Sequence, residues 1–129
     1  MVSPVSNVHN PVTVINSPGG TEGTAITSFP HTLATHTATG AGTTYNLPSG
    51  RATVQATSDN NGGTFTSGTV TIEVSNDNDI WITLGTISLA GDNDSDGFAF
   101  DAPWAYIRSN CTALSESGST PQAVVTLQV

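Results

Sequence analysis

Residues 70–114, VTIEVSNDNDIWITLGTISLAGDNDSDGFAFDAPWAYIRSNCTAL, decide the fold of this chain. The segment alternates apolar residues with small polar ones and is interrupted by clusters of Asn, Asp and Gly. Strict alternation predicts half-buried β-strands, because successive side chains of a strand point to opposite faces of a sheet. The Asn, Asp and Gly clusters predict tight turns between these strands. The segment therefore predicts a series of short strands joined by turns.

The same pattern extends to both sides of this segment. Strands are predicted at residues 51–57, 69–75, 80–89, 98–100, 104–113 and 123–129. The inward-facing positions are expected to be Ala52, Val54, Ala56, Val70, Ile72, Val74, Val125, Leu127 and Val129. Gly85 shifts the phase of the apolar residues in its strand, which predicts a β-bulge. The cluster at residues 58–63 predicts a turn that contains residues with positive φ.

Composition supports an all-β fold. Only 36% of the 129 residues are hydrophobic and 9% are charged, and the polar residues are mainly Thr, Ser, Asn and Gly. This mixture disfavours helices and suits strands with tight turns. We predict an antiparallel β-sandwich, either jelly-roll or immunoglobulin-like, and a single domain with an extended N-terminal arm.

Charge and cysteine content narrow the function classes. The net charge is −8, and Arg51 and Arg108 are the two basic residues besides histidine. Binding to nucleic acid or to an anionic membrane needs cations, so we expect neither partner.

The single cysteine, Cys111, lies in phase with Ile107, which predicts a small buried side chain. We find no secretion signal or membrane span in the sequence and expect a soluble protein made in the cytoplasm.

The chain changes character near residue 45. Residues 1–44 are rich in Thr, Ser, Gly and Pro and contain one acidic residue, Glu22, and all three histidines. Such a segment buries too little apolar surface to fold alone, so we expect an arm at residues 1–44 and a sandwich at residues 45–129. The arm would add strand-like contacts to a partner or to its own sandwich, or would be a disordered tail. Its expected interface residues are Val12, Val14, Ile15, Ile26, Phe29 and Leu33.

Two stretches are candidates for a site. Asp92, Asp94 and Asp96 precede Gly97 in a pattern that resembles the first half of a calcium loop. The closing bidentate Glu is missing, so we favour an acidic turn and expect neither a metal nor another cofactor.

Trp104, Tyr106 and Arg108 lie on one face of their strand, opposite Ile107 and Cys111. We expect Ile107 and Cys111 in the core. We call Trp104, Tyr106 and Arg108 the Trp104 row. These side chains either belong to the core or form an interaction surface.

The sequence lacks the arrangement of residues that nucleophilic catalysis requires. His9, His31 and His36 all lie in the arm, where no rigid element is expected to hold a base beside a nucleophile. We therefore predict that the protein is not an enzyme.

The order of these parts resembles a known group of proteins. The chain first has a strand ending Val74-Ser75-Asn76-Asp77 and then an apolar strand at Trp81. An acidic loop follows, and then a Phe-containing strand that leads into Trp104-Ala105-Tyr106-Ile107-Arg108. This order resembles small β-sandwich structural proteins of tailed bacteriophages that decorate or cement capsids. The resemblance implies a homo-oligomeric virion protein whose partners are the major capsid protein or other virion subunits. Attachment to the capsid and attachment to the tail both stay open.

A second resemblance implies another class of function. The order Ser75-Asn76-Asp77, Trp81, a Phe strand and Tyr106-Ile107-Arg108 is also similar to discoidin-type modules. That similarity implies a carbohydrate-binding sandwich of a phage tail or adhesin, in which a structural calcium would give the acidic loop a role.

Overall fold

The computed structural model describes residues 23–48, 50–101 and 103–129, and within these ranges it contains strands and no helix. The strands are β1 (His31–His36), β2 (Gly40–Ala41), β3 (Tyr45–Asn46), β4 (Arg51–Asp59), β5 (Thr64–Ser75), β6 (Ile82–Ala90), β7 (Ser95–Asp101), β8 (Tyr106–Ser117) and β9 (Gln122–Gln128). The all-β prediction is confirmed.

The strands form two antiparallel sheets that pack face to face. Sheet I has the order β1-β9-β4-β7, and sheet II has the order β2-β8-β5-β6, with β3 also paired to β8. Only β5 and β6 are joined as a hairpin within one sheet, and most other connections cross between the sheets. The predicted antiparallel sandwich is thus confirmed.

The core lies between the sheets and consists of the inward side chains of both. In β4, and in β5 from Gly68 to Ile72, buried and more exposed residues alternate, because one face of each strand meets the other sheet. Glu73 and Ser75, at the outward positions at the end of β5, are buried as well. Burying each Val, Leu, Ile or Phe side chain contributes about 1.5–3 kcal/mol. The core residues are Leu33, Leu47, Ala52, Val54, Ala56, Phe65, Val70, Ile72, Val74, Ile87, Leu89, Phe100, Ile107, Ala123, Val125 and Leu127.

The predicted turn and bulge are both present. Asn61 and Gly62 have φ of 42° and 85° in the turn between β4 and β5. In the β5–β6 ladder Ile72 faces Gly85 but Glu73 faces Thr83, so β6 carries one extra residue there. A Cβ on Gly85 would lie 2.6 Å from Cζ of Phe98, so glycine also leaves room for the ring of that residue.

Three apolar residues of the predicted strands are more exposed than the alternation suggests. Ile80 and Ile82 share the phase of β6 but are 68% and 48% exposed. Val129, which was expected to face inward, is 44% exposed because β9 ends at Gln128, the last residue paired with β4. Alternation of apolar and polar residues thus identifies the apolar face of a strand. Whether that face is buried depends on how far the opposite sheet extends over it.

The sandwich begins earlier than the expected boundary at residue 45. β1 pairs with β9, and both β2 and β3 pair with β8, so residues 31–46 contribute to the two sheets. A bridge between Thr24 and Tyr45 ties the chain to sheet II even earlier. The register of β1 shifts between Thr32 and Ala34, and this irregularity breaks the alternation that would otherwise have indicated a strand.

Candidate interaction surface

The loop after β5 is held by a compact set of hydrogen bonds. The Oδ1 atom of Asp77 accepts hydrogen bonds from the backbone N–H groups of Asp79 (3.0 Å) and Ile80 (2.9 Å) and from Oγ of Ser75 (3.0 Å). Oγ of Ser75 in turn accepts from the backbone N–H groups of Asp77 and Asn78. The bonds from the N–H groups of Ile80 and Asp79 lower the pKa of Asp77. The loop is therefore a defined structure that fixes where Ile80 emerges.

Ile80 and Ile82 form an exposed apolar patch beside this loop. Together with Trp104 they line an open depression whose other lining residues are Asn76 and Asp77. We call these five residues the end patch. Trp104 is half-buried and packs against the core, so the depression has a firm apolar wall. Exposed large apolar side chains rimmed by polar residues are typical of protein-binding surfaces.

A second cluster on the outer face of sheet II supports the end patch. Nε of Arg108 donates to Oε1 of Glu73 at 2.7 Å, and the guanidinium carbon lies 4.1 Å from the centroid of the Trp81 ring. Trp81 lies between Ile80 and Ile82 in sequence. Its stacking on Arg108 therefore anchors the segment that exposes the two isoleucines.

Glu73 is the centre of this cluster. Its Oε2 accepts hydrogen bonds from Nδ2 of Asn110 at 3.1 Å and from Oγ1 of Thr71 at 3.2 Å. Burial acts to raise the pKa of Glu73, but the hydrogen bonds from Asn110 and Arg108, the positive charge of Arg108 and the bond from Thr71 together lower it. The carboxylate is thus held ionised beside Arg108.

The Trp104 row is therefore divided between two environments. Trp104 contacts the core, Tyr106 is 2% exposed, and Arg108 pairs with Glu73 on the outer face. On the opposite side of β8, Ile107 and Cys111 are buried, as expected. Burial raises the pKa of the Cys111 thiol, which fits a structural side chain rather than a nucleophile.

The acidic turn uses its carboxylates to cap backbone groups. Oδ1 of Asp92 accepts from the N–H of Phe65 at 2.7 Å, and Oδ2 of Asp94 accepts from the N–H of Ala90 at 2.7 Å. Oδ1 of Asp96 accepts from the N–H of Gly97. Within the described ranges no three His, Cys, Asp or Glu side chains are grouped so that they could hold a metal ion. The geometry is that of a turn stabilised by Asp side chains.

His36 makes a contact that sequence reasoning missed. Its Nε2 lies 2.6 Å from Oγ of Ser109, so it joins β1 of sheet I to β8 of sheet II. Serine and histidine at this distance are the parts of a nucleophilic pair, but Ser109 is 0% exposed and its Oγ is out of reach of a substrate. Burial lowers the pKa of His36. The sequence did indicate that Ser109 is buried, because it lies in phase with Ile107 and Cys111.

The expected interface residues of the arm separate into two groups. Leu33 is 1% exposed in the core, and Ile26 and Phe29 are half-buried and pack against it. The structure thus places these three side chains against the core of their own chain, Leu33 fully and Ile26 and Phe29 in part. Val12, Val14, Ile15 and His9 lie outside the described residues. Of the other histidines, His31 packs edge-on against Tyr45, with ring centroids 4.4 Å apart.

No protein-family model, curated protein or solved structure matches this chain. Among the described residues, no helix is long and apolar enough to cross a membrane. Function is therefore inferred from the residues and contacts described above.

Proposed function

We propose that this protein is a non-enzymatic structural protein of a bacteriophage virion that decorates or cements the capsid. The single observation that carries this proposal is the end patch, in which a hydrogen-bonded loop holds Ile80 68% exposed next to Ile82. A sandwich that exposes apolar side chains from a defined loop is suited to binding another protein surface. The order of strands and aromatic residues that resembles phage decoration proteins supports the same role.

The charges around the end patch indicate the chemistry of its partner. Asp77 belongs to the end patch, Asp79 precedes Ile80 in sequence, and the whole chain carries a net charge of −8 without a lysine. An apolar site surrounded by basic residues is therefore the complementary surface, which we assign to the major capsid protein or another virion subunit. Repetition of one modest contact over many copies in a symmetric homo-oligomeric layer gives large total stabilisation. The acidic surface disfavours binding to the packaged DNA.

Binding to particles that lack this protein tests the proposal. The purified chain, its double variant Ile80→Ser/Ile82→Ser and the control Val129→Ser are each titrated onto such particles, and the bound copies per particle are counted. Burying the exposed parts of both isoleucines contributes about 2–3 kcal/mol, so the double variant is expected to bind about 30–150-fold more weakly. Val129 is a third exposed large apolar residue, and its variant is expected to bind normally. Absence of saturable binding by the unaltered chain would refute the virion role.

One observation favours a second function, a discoidin-like carbohydrate-binding module. Trp81 is half-buried beside Arg108 on the outer face of sheet II, and an aromatic ring next to a charged group is a common arrangement for sugar binding. Arg108 is already paired with Glu73 and covers one face of the indole, which leaves less of the ring for a sugar. Retention on a glycan column, abolished by Trp81→Ala, would support this alternative over the structural role.

A further inference from the structure

Three asparagines in the described part of the chain share an uncommon backbone conformation. Asn61, Asn78 and Asn93 have φ of 42°, 58° and 58°, and each lies in a connection between two strands. This left-handed region is open to Asn because its short polar side chain can hydrogen-bond locally. The three residues therefore form a matched set, in which the surroundings of one can be compared with those of the others.

The backbone N–H that follows each asparagine distinguishes the three. In the loop between β5 and β6 this N–H belongs to Asp79 and donates to Oδ1 of Asp77 at 3.0 Å. In the loop between β6 and β7 it belongs to Asp94 and donates to Oγ of Ser58 at 2.8 Å. A backbone nitrogen whose hydrogen is bound in this way is a poor nucleophile, because its attack on a carbonyl carbon first breaks the hydrogen bond.

Asn61 is instead followed by glycine in an exposed type I′ turn. The N–H of Gly63 donates to the oxygen of Asn60 at 2.7 Å across the turn, and Gly62 has φ of 85°. The N–H of Gly62 has no acceptor among the described residues, and both Asn61 and Gly62 are exposed. Glycine also has no Cβ beside this nitrogen, so its approach to a neighbouring carbon is less hindered than at the other two positions.

The side chain of Asn61 is held by a single exposed hydrogen bond. Its Nδ2 donates to the oxygen of Thr120 at 3.1 Å. Water can replace an exposed bond of this kind at small cost, so the side chain is able to turn its Cγ towards the nitrogen of Gly62. The backbone N–H of Asn61 donates to Oδ1 of Asp59 at 2.9 Å and keeps the turn in place meanwhile.

We propose that Asn61 is a modification site, at which the folded chain deamidates through a succinimide. The nitrogen of Gly62 loses its proton to solvent and bonds to Cγ of Asn61. The bond from Cγ to Nδ2 breaks, and Nδ2 takes a proton from water and leaves as ammonia. Water then adds to either carbonyl carbon of the succinimide and the ring C–N bond breaks there. Cleavage at Cγ gives aspartate, cleavage at the main-chain carbonyl gives isoaspartate, and nothing is oxidised or reduced.

The modification changes both the charge and the length of the turn. A carboxylate replaces the amide that donates to Thr120, and it forms beside Asp59, whose Oδ1 accepts the N–H of Asn61. Two like charges at this distance repel each other. Isoaspartate also lengthens the main chain between β4 and β5. The inference concerns the isolated chain and does not depend on a virion role.

Mass spectrometry of peptides from the full-length protein tests the proposal. The folded chain is incubated in mildly alkaline buffer, which favours loss of the proton from a backbone nitrogen, and is digested at acidic pH, where the reaction stops. Asn61 is expected to gain the mass that replacement of an amide by a carboxyl group adds. This conversion is expected to be at least about fivefold faster than at Asn78 or Asn93, because breaking one hydrogen bond before the attack slows the reaction by about that factor.

The matched variant Asp79→Gly separates the effect of the hydrogen bond from that of the glycine. It places a glycine after Asn78 but keeps the backbone N–H that donates to Asp77. In the folded variant, Asn78 is expected to convert at least about fivefold more slowly than Asn61, because the attacking nitrogen still has to give up a hydrogen bond. In urea this bond is lost, and the two asparagines are expected to convert at similar rates.

The variant Asn61→Ser assigns the reacting residue. It lacks the carboxamide and is expected to show no mass gain in this peptide, which also contains Asn60. A mass gain that persists in Asn61→Ser would overturn the assignment. Asn61 that stays intact in the folded chain but converts in urea would overturn the proposal, because the fold would then protect this turn. Conversion of Asn78 as fast as that of Asn61 in folded Asp79→Gly would overturn the role given to the unbound N–H.

Discussion

Replacing His36 by Ala removes the side-chain hydrogen bond that joins the two sheets in the core. The imidazole is 6% exposed, and its Nε2 lies 2.6 Å from Oγ of the fully buried Ser109. The variant leaves that hydroxyl without its partner and leaves a cavity, which together cost about 2–4 kcal/mol. For a domain of this size the melting temperature is expected to fall by about 8–15 °C. Ser109→Ala keeps the imidazole and loses only the bond, so it is expected to cost about 1–2 kcal/mol.

The two variants differ in how their stability depends on pH. Burial lowers the pKa of His36 below its ordinary value of 6.5, so the unfolded chain binds the proton before the folded chain does. The stability that neutral His36 contributes is therefore fully present above pH 6.5 and is lost as the pH falls from there through the lowered folded pKa. One such group contributes a slope of up to about 1.4 kcal/mol per pH unit. His36→Ala loses this slope, whereas Ser109→Ala keeps it because the buried imidazole is still present.

Urea unfolding monitored by tryptophan fluorescence between pH 8 and pH 5 measures both effects. The window stays above the ordinary pKa values of 4.5 for Glu and 3.8 for Asp, so the carboxylates contribute little to the difference between variants. The free energy of unfolding of the unaltered chain is expected to fall with acidification more steeply than that of His36→Ala. Equal slopes in the two proteins would refute the view that His36 is kept neutral by burial between the sheets.

Three further predictions concern the bulge, the outer-face cluster and the acidic turn. Gly85→Ala places a Cβ against Phe98 and is expected to destabilise the fold by about 1–3 kcal/mol, whereas Gly85→Ala combined with Phe98→Leu recovers part of this loss in thermal melts. If Gly85→Ala has the same melting temperature as the unaltered chain, the Phe98 ring does not pack closely against Gly85. Glu73→Gln leaves the part-buried Arg108 without its carboxylate and is expected to cost about 1–2 kcal/mol and to change tryptophan fluorescence. An unchanged spectrum and melt would argue against the cluster. A chelator is expected to leave the melting temperature unchanged, because Asp92 accepts a backbone hydrogen bond without a metal. A drop of many degrees would instead indicate a bound cation.

Much of the fold follows from local sequence alone. The alternation in β4 and β5 predicts their inward faces because the two sides of a strand are set by backbone geometry, independent of what covers them. The turn at Asn61 and Gly62 and the bulge at Gly85 follow equally from residues whose conformational freedom is local. The all-β class and the burial of Ile107 and Cys111 were therefore predictable.

The candidate surface depended on contacts between residues far apart in sequence. Ile80 and Ile82 match the phase of a buried strand, and only the extent of the opposite sheet leaves them exposed. The pairing of His36 with Ser109 joins residues 73 positions apart, and no local pattern specifies such a partner. β1 escaped prediction for the same reason, since its short and irregular sequence becomes a strand through its pairing with β9. Side-chain direction is thus a property of the local chain, whereas coverage and partnership arise only when the two sheets pack together.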